Sequence, residues 1–169
     1  MKPYNIRILN ASDVEIFQAT RIAAVTQHPV AFLVDAHEEK ARPLEEVASR
    51  LAPQDHRWVL AAVAANTVVG MVGFVRQERP KIQHKAFIWG MYVSPEYRSQ
   101  GLGRKLMNET ISRAKKLPGL KRVDLSVMTE NKEAKELYES LGFETWGVEP
   151  SSIVVDNQPR DESHMTYWL

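Results

Sequence analysis

Cysteine is absent from the 169 residues of this chain, and its absence excludes several chemistries at once. Without it there are no disulfide bonds, no thiolate metal ligands and no cysteine nucleophile. The histidines do not take its place as metal ligands, because they never stand at the short spacing of a zinc site. They are His28, His37, His56, His84 and His164. We therefore predict that the protein binds no metal.

Long apolar runs and a net charge of one sign are also missing. The longest apolar run, Trp58 to Ala65, is far shorter than a membrane-spanning helix, and the first residues lack the apolar core of a signal peptide. The net charge of +1 gives no electrostatic reason to bind nucleic acid or an anionic membrane. A basic cluster from Arg113 to Arg122 stands at the end of a predicted helix, where Lys and Arg oppose the helix dipole. We expect a cytoplasmic protein with neither kind of partner.

The composition that is present suits one globular domain. Hydrophobic residues make up 44% of the chain and charged residues 25%, so we predict a single domain over residues 1–169. Apolar periodicity and turn residues divide the first third of the chain into short elements. These are a strand at Tyr4–Leu9, a capping box at Ser12–Glu15 that opens a helix ending near Gln27, a polar connection at Ala31–Arg42, and a helix from Pro43 to about Leu51.

The remainder of the chain predicts a β-meander followed by a crossover connection. The meander strands are Trp58–Ala65, Val68–Gln77 and His84–Val93, with a hairpin turn at Asn66-Thr67 between the first two. The later elements are an amphipathic helix ending near Lys116, a strand at Arg122–Thr129 parallel to the third meander strand, a short helix at Glu133–Leu141, and two final strands at Glu144–Val148 and His164–Leu169 joined by a polar loop.

The run R-S-Q-G-L-G, from Arg98 to Gly103, stands between a buried strand and the amphipathic helix. Glycines at a helix entrance let a ligand approach the backbone, and the free first-turn amides and helix dipole favour a phosphate there. Neither common nucleotide motif is complete, because Leu106 stands at the position of the third glycine of G-x-G-x-x-G and Gly103 is followed by Arg104. An isolated G-x-G also occurs in ordinary strand-to-helix turns.

The sequence around this run resembles a known family. V-S-P-E-Y-R-S-Q-G-L-G-R-K-L resembles the acetyl-CoA-binding motif of the GNAT superfamily of N-acetyltransferases, and N-K-E-A-K-E-L-Y-E-S-L-G-F, from Asn131 to Phe143, resembles that family's second landmark. The resemblance implies the GNAT-like α/β fold, a central mixed sheet of about seven strands flanked by about four helices. It also implies acetyl-CoA as the acetyl donor.

The resemblance further implies a set of cofactor-binding residues. The amides of the glycine loop are expected to hold the pyrophosphate, and a strand that bulges at Gly90 and splays from its neighbour is expected to pair with the pantetheine arm. The loop residues are Arg98, Ser99, Gln100, Gly101, Leu102, Gly103 and Arg104. The strand residues are Met91, Tyr92 and Val93, and the residues bordering the cofactor from the following helix are Asn131, Ala134, Lys135 and Tyr138.

Two of these residues are also expected to be catalytic. Tyr138 matches the family tyrosine whose phenol lies near the cofactor sulfur, so we expect it to protonate the departing thiolate as general acid. Without the resemblance, an aromatic residue at this helical spacing would be read as part of the core. Asn131 matches the asparagine that opens the helix, and we expect it both to cap the helix and to contact the reacting centre.

The acceptor site and the general base are less well defined by the sequence. Glu38 and Glu39 lie where GNAT enzymes often bind the acceptor. His84 is a candidate base, because an imidazole exchanges protons near neutral pH. Each also has an ordinary reading, a solvated loop for the two carboxylates and a solvated strand end for the histidine. Glu149, Asp161 or a water chain would serve equally well as the base.

The sequence therefore predicts direct acetyl transfer from acetyl-CoA to a primary amine. The charge balance and the acidic pair favour a small cationic amine, with a peptide amine as the second choice. The competing hypothesis is an acyl-CoA-binding sensor that has no turnover. A homodimer is possible, because dimers are common in the family.

Overall fold

The computed structural model describes residues 3–169. Within this range a seven-stranded mixed sheet has the spatial order β1-β2-β3-β4-β5-β7-β6. Its strands are β1 (Asn5–Ile8), β2 (Arg57–Ala64), β3 (Thr67–Arg76), β4 (Lys85–Val93), β5 (Arg122–Met128), β6 (Glu144–Val155) and β7 (Gln158–Trp168). The α-helices are α1 (Val14–Gln27), α2 (Ala36–Ala41), α3 (Leu44–Leu51), α4 (Leu102–Ala114) and α5 (Lys132–Ser140). This confirms the predicted fold class, with one helix more than expected.

Helices cover both faces of the sheet. One face packs against α4 and α5, and its core includes Leu60, Val72 and Leu125. The other face packs against α1 and α3, and its core includes Val59 and Met71. Because the central strands are buried on both faces, they read in the sequence as nearly continuous apolar runs. No helix within residues 3–169 combines the length and the apolar character needed to cross a bilayer.

Strands β4 and β5 run parallel but pair only over a short distance. Their register joins Lys85–Phe87 to Arg122–Asp124, and beyond Phe87 the two strands have no further pairs. On its other side β4 has a bulge, since Gly90 and Met91 together lie opposite Val72 of β3. Gly90 has a φ of +63°, a conformation that favours glycine. The bulge and the separation of the strands confirm the prediction made for this segment.

Four local predictions were wrong. The polar connection contains α2, whose N-terminus is capped by the Asp35 carboxylate accepting from the Glu38 amide at 2.7 Å. The first capping interaction uses Asn10 and Asp13 instead of Ser12 and Glu15, and the Asn10 amide donates to the Asp13 carboxylate at 2.9 Å. The Asn10 side chain accepts from the Ser12 amide at 2.9 Å, so the capping box begins two residues before its predicted place.

The predicted polar loop near the C-terminus is mostly strand. β6 and β7 pair as far as Val155 and Gln158, and a two-residue turn at Asp156-Asn157 joins them. Both turn residues have positive φ, of 51° and 60°, which suits a tight hairpin. The first hairpin turn is likewise at Ala65-Asn66, one residue before its predicted place. Proline and polar residues made an exposed hairpin look like a loop.

Candidate active site

The separation of β4 from β5 opens a cavity of about 590 Å³ at the carboxyl ends of these strands. Its walls come from the end of β4, the glycine loop and start of α4, the end of β5, and α5. A short turn at Pro29–Ala31 after α1 contacts β5 and β6 and closes part of the far side. A cleft at the carboxyl ends of parallel strands is a common place for ligands in α/β folds.

The glycine loop forms one end of the cavity. Gly101 precedes α4 with a φ of +75°, and Ser99 also has a positive φ of 55°. Gly103 lies in the first turn of α4, where an added Cβ would stand 3.2 Å from Met91 Cε and 3.4 Å from Leu137 Cδ2. At Gly101, by contrast, an added Cβ would meet nothing within 4 Å, so the backbone there is open to a ligand at the positive end of a 13-residue helix.

Most of the predicted loop residues line the cavity, and one does not. The lining residues are Arg98, Ser99, Gly101, Leu102, Gly103 and Arg104. Gln100 is outside the lining, because it is exposed and its side-chain amide donates to the Glu96 carbonyl at 2.8 Å. Arg104 lies at the cavity edge and donates to the Ser140 hydroxyl at 2.7 Å. Of the strand residues, Met91, Tyr92 and Val93 all line the cavity.

Arg98 is held by the protein itself on two sides. Its Nε donates to the Val93 carbonyl at 2.9 Å, and its Nη2 lies 2.7 Å from His28 Nε2 at the end of α1. Burial, together with the positive charge of Arg98, lowers the pKa of His28. A neutral imidazole therefore accepts a hydrogen bond from the guanidinium. His28, which the sequence did not indicate as a site residue, also lines the cavity.

Tyr138 and Asn131 line the cavity from α5 and the residue before it. Tyr138 is 6% exposed, and burial raises the pKa of its phenol to about 12. The Asn131 side chain accepts from the Ala134 amide at 3.2 Å, so it caps α5 as expected. Ala134 also lines the cavity, whereas Lys135 does not and reaches instead towards Glu139 at 4.0 Å.

The cavity also opens on the face of the sheet opposite α4. There its lining includes Phe32, Trp89, Ser126 and Glu162. Trp89 packs its ring over Gly73, where a Cβ would stand only 2.1 Å from the indole.

Glu162 was not predicted, although its neighbour Asp161 was. Because strand residues alternate between faces, Glu162 points away from the α4 face when buried Met165 points towards it. The predicted strand began at His164, and extending it by one period would have found Glu162.

The structure does not bring Glu38, Glu39 or His84 to the cavity. Glu39 is buried in α2, and its carboxylate is taken up by Arg21 at 3.5 Å and Arg42 at 3.8 Å. Glu38 is exposed and lies 3.5 Å from Arg42. His84 precedes β4 at the end where β4 and β5 are paired, far along the strand from Gly90. Asp161 is also directed elsewhere, accepting from the Ser151 amide at 2.8 Å.

Comparison with known proteins agrees with this geometry. The acetyltransferase (GNAT) family matches residues 21–143. The N-alpha-acetyltransferase RimI of Mycobacterium tuberculosis is 34% identical over 55% of this chain and 56% of its own length. The L-amino acid N-acetyltransferase AaaT of Escherichia coli is 29% identical over 56% of this chain and 65% of its own length. The chain thus spans less than two thirds of the length of each of these relatives.

A solved structure shares the whole fold. The acetyltransferase of the family from Streptococcus pneumoniae superposes with a TM-score of 0.88 at 22% identity, and the match covers 99% of this chain and 100% of that one.

Proposed function

This chain belongs to the acetyltransferase (GNAT) family, and from that premise we propose that it transfers acetyl from acetyl-CoA directly to the primary amine of a small cationic molecule. The observation that carries the proposal is the gap between β4 and β5, which ends at the glycine-opened terminus of α4. The helix terminus suits the pyrophosphate, and the unpaired backbone of β4 suits the amides of the pantetheine arm. The thioester then lies between Gly90 and Tyr138, deep in the cavity.

In this proposal Tyr138 serves the leaving thiolate. With a pKa near 12 the phenol keeps its proton throughout the working pH range, so it is always available as a donor. A thiol has a pKa near 8.5, so complete transfer from the phenol would cost about 5 kcal/mol at about 1.4 kcal/mol per unit. Tyr138 therefore acts mainly by donating a hydrogen bond to the developing negative charge, and solvent completes the protonation.

The opposite mouth of the cavity suits an amine carrying positive charge. Glu162 lines this mouth, whereas Glu130 and Glu133 line the cavity near the start of α5. Trp89 and Phe32 supply aromatic surface, although the Arg21 guanidinium already lies over both rings, 5.8 Å and 4.9 Å from their centroids. Glu130 is engaged by Arg160 at 2.8 Å and Glu133 lies in the first turn of α5, whereas Glu162 is hydrogen-bonded to Ser126 of the β5 wall at 3.0 Å. These residues replace Glu38 and Glu39 as the basis for a cationic acceptor.

The proposal is tested by following free thiol during incubation of the protein with acetyl-CoA and separate amines. The panel is 1,4-diaminobutane, L-lysine, L-methionine and a tetrapeptide with a free amino terminus. We expect amine-dependent thiol release that is fastest with the diamine. Tight acetyl-CoA binding by calorimetry without release for any amine would instead favour a sensor, and preference for the tetrapeptide would favour a peptide acceptor.

A further inference from the structure

We infer that Glu162 receives the ammonium group of the acceptor and removes its proton before attack. This inference rests on the proposed function and deepens it, since it names the base that the sequence left open. Glu162 lies on β7, on the face of the sheet opposite α4, and its side chain lines the cavity. The glycine loop approaches the cavity from the other side, so cofactor and amine meet at the thioester from different directions.

Two hydroxyl groups fix the Glu162 carboxylate. Ser126 of β5 donates to its Oε1 at 3.0 Å, and Ser152 of β6 donates to its Oε2 at 2.8 Å. Each carboxylate oxygen has more than one lone-pair direction, so both can still accept from an ammonium group. The side chain is therefore oriented but not saturated, which is what a general base requires.

A second carboxylate stands directly across the hairpin. Glu149 of β6 pairs in register with Glu162, and facing like charges on neighbouring strands destabilise a sheet. His164 Nε2 lies 2.8 Å from the Glu149 carboxylate. One polar atom from each of Glu149, Glu162 and His164 lies within 4.8 Å of the others. An incoming ammonium group offsets the repulsion between the two acids, so the cluster favours a cation over a neutral guest.

The nearest cation on β7 is already paired. Arg160, two residues earlier on β7, contacts Glu130 at 2.8 Å. Trp146 stacks on the His164 ring with centroids 5.3 Å apart and is 63% exposed, so the cluster reaches the protein surface. With a bridging water across the 4.8 Å cluster, Glu149 and His164 offer a route by which a proton taken by Glu162 reaches solvent.

The proton balance is as follows. The first proton of the ammonium group passes by way of Glu162 to solvent, and the free amine attacks the thioester carbonyl carbon. The carbon–sulfur bond breaks, Tyr138 donates a hydrogen bond to the departing thiolate, and the thiolate takes a proton from solvent. The nitrogen loses its second proton as the amide forms, so one proton is released to solvent for each acetyl group transferred.

The test compares Glu162→Gln with wild-type protein by thiol release with 1,4-diaminobutane as a function of pH. An alkyl amine with a pKa near 10.4 is about one part in a thousand free base at pH 7.4. A variant that cannot deprotonate the amine depends on that fraction, so we expect kcat/KM to fall by about 10²–10³-fold at pH 7.4. The deficit should shrink about tenfold for each pH unit towards pH 10. With the tetrapeptide, whose amine has a pKa near 8, the loss should stay below about tenfold.

Glu144→Gln, which removes an exposed carboxylate from the same hairpin, is the matched control and should keep wild-type rates. Calorimetry should give Glu162→Gln an acetyl-CoA affinity within threefold of wild type, which separates this site from the cofactor site. All rates are measured with a chelator present. An equal deficit at every pH, an unchanged rate at pH 7.4, or loss of wild-type activity in chelator would overturn the inference. Absence of turnover in wild-type protein with every amine would instead overturn the proposed function, and the inference with it.

Discussion

Replacing Tyr138 by Phe is the most informative change to the proposed machinery. It removes one hydroxyl group and leaves the ring, which packs against Phe143 with centroids 6.0 Å apart. The fold should therefore be unaffected, with a melting temperature within a few degrees of wild type. Acetyl-CoA affinity should also stay within a few-fold, because the hydroxyl group serves the departing sulfur and contributes little to holding the ground-state thioester.

The expected loss in kcat follows from the pKa of the phenol. Because burial raises that pKa to about 12, the phenol acts mainly as a hydrogen-bond donor to the leaving thiolate. Loss of one preorganised donor to a developing anion costs about 10²–10³ in rate. We therefore expect kcat of Tyr138→Phe to fall by about 10²-fold, with KM for acetyl-CoA nearly unchanged. Initial rates of thiol release at saturating amine measure this directly.

The pH profile gives an independent check of the same reasoning. A group that must be protonated loses its contribution as pH rises through its pKa, and for Tyr138 this lies near 12. Wild-type kcat should therefore show no decline caused by tyrosine ionisation below about pH 11. An unchanged kcat in Tyr138→Phe would refute the donor role. A wild-type decline centred near pH 9 that disappears in the variant would refute the raised pKa.

Three further substitutions test the framework around the site. Gly103→Leu should weaken acetyl-CoA binding more than tenfold by calorimetry and also lower the free energy of unfolding by about 1–3 kcal/mol, because its Cβ alone would stand 3.2 Å from Met91 Cε and 3.4 Å from Leu137 Cδ2 in the cavity wall. Gly73→Ala should lower the free energy of unfolding by about 1–3 kcal/mol in urea titrations, because the Trp89 ring must move from its place 2.1 Å from the new Cβ. Glu39→Gln should cost about 3–5 kcal/mol by the same assay, because it leaves the buried Arg21 guanidinium without its charged partner. Unaltered cofactor affinity in the first, or unaltered stability in the other two, would contradict these contacts.

The parts of the site that follow from local backbone geometry could be predicted from sequence. Gly90 and Gly101 have positive φ, and glycine is the residue that adopts such conformations without strain. A bulge in a strand and a helix that begins after a glycine can therefore be predicted from a few consecutive residues. The same is true of the Asn131 cap, which involves an amide only three residues away. For this reason local motifs predicted the glycine loop and the strand end that line one side of the cavity.

Contacts between distant segments could not be predicted in the same way. Arg98 and His28 are 70 residues apart, and their hydrogen bond depends on where α1 ends relative to β4. Glu39 reads as a solvated acid in a polar connection, but α2 buries it against Arg21 of α1. In both cases the partner is chosen by tertiary packing, and neither residue has a local pattern that indicates its role.

The position of Glu162 on the sheet also bears on whether the acetyl group is first transferred to a side chain of the protein. Ser126 is a hydroxyl in the cavity next to a carboxylate, so it is the alternative to direct transfer that the geometry offers. Its proton, however, is donated to the same Glu162 that faces the acceptor side, and an arriving ammonium group competes for that carboxylate. A free amine is a far better nucleophile than an unactivated hydroxyl, and the amine is activated by the act of binding. In the proposed arrangement the gap between β4 and β5 exposes the thioester to that amine directly, so an acyl-serine intermediate would add a step without removing a barrier.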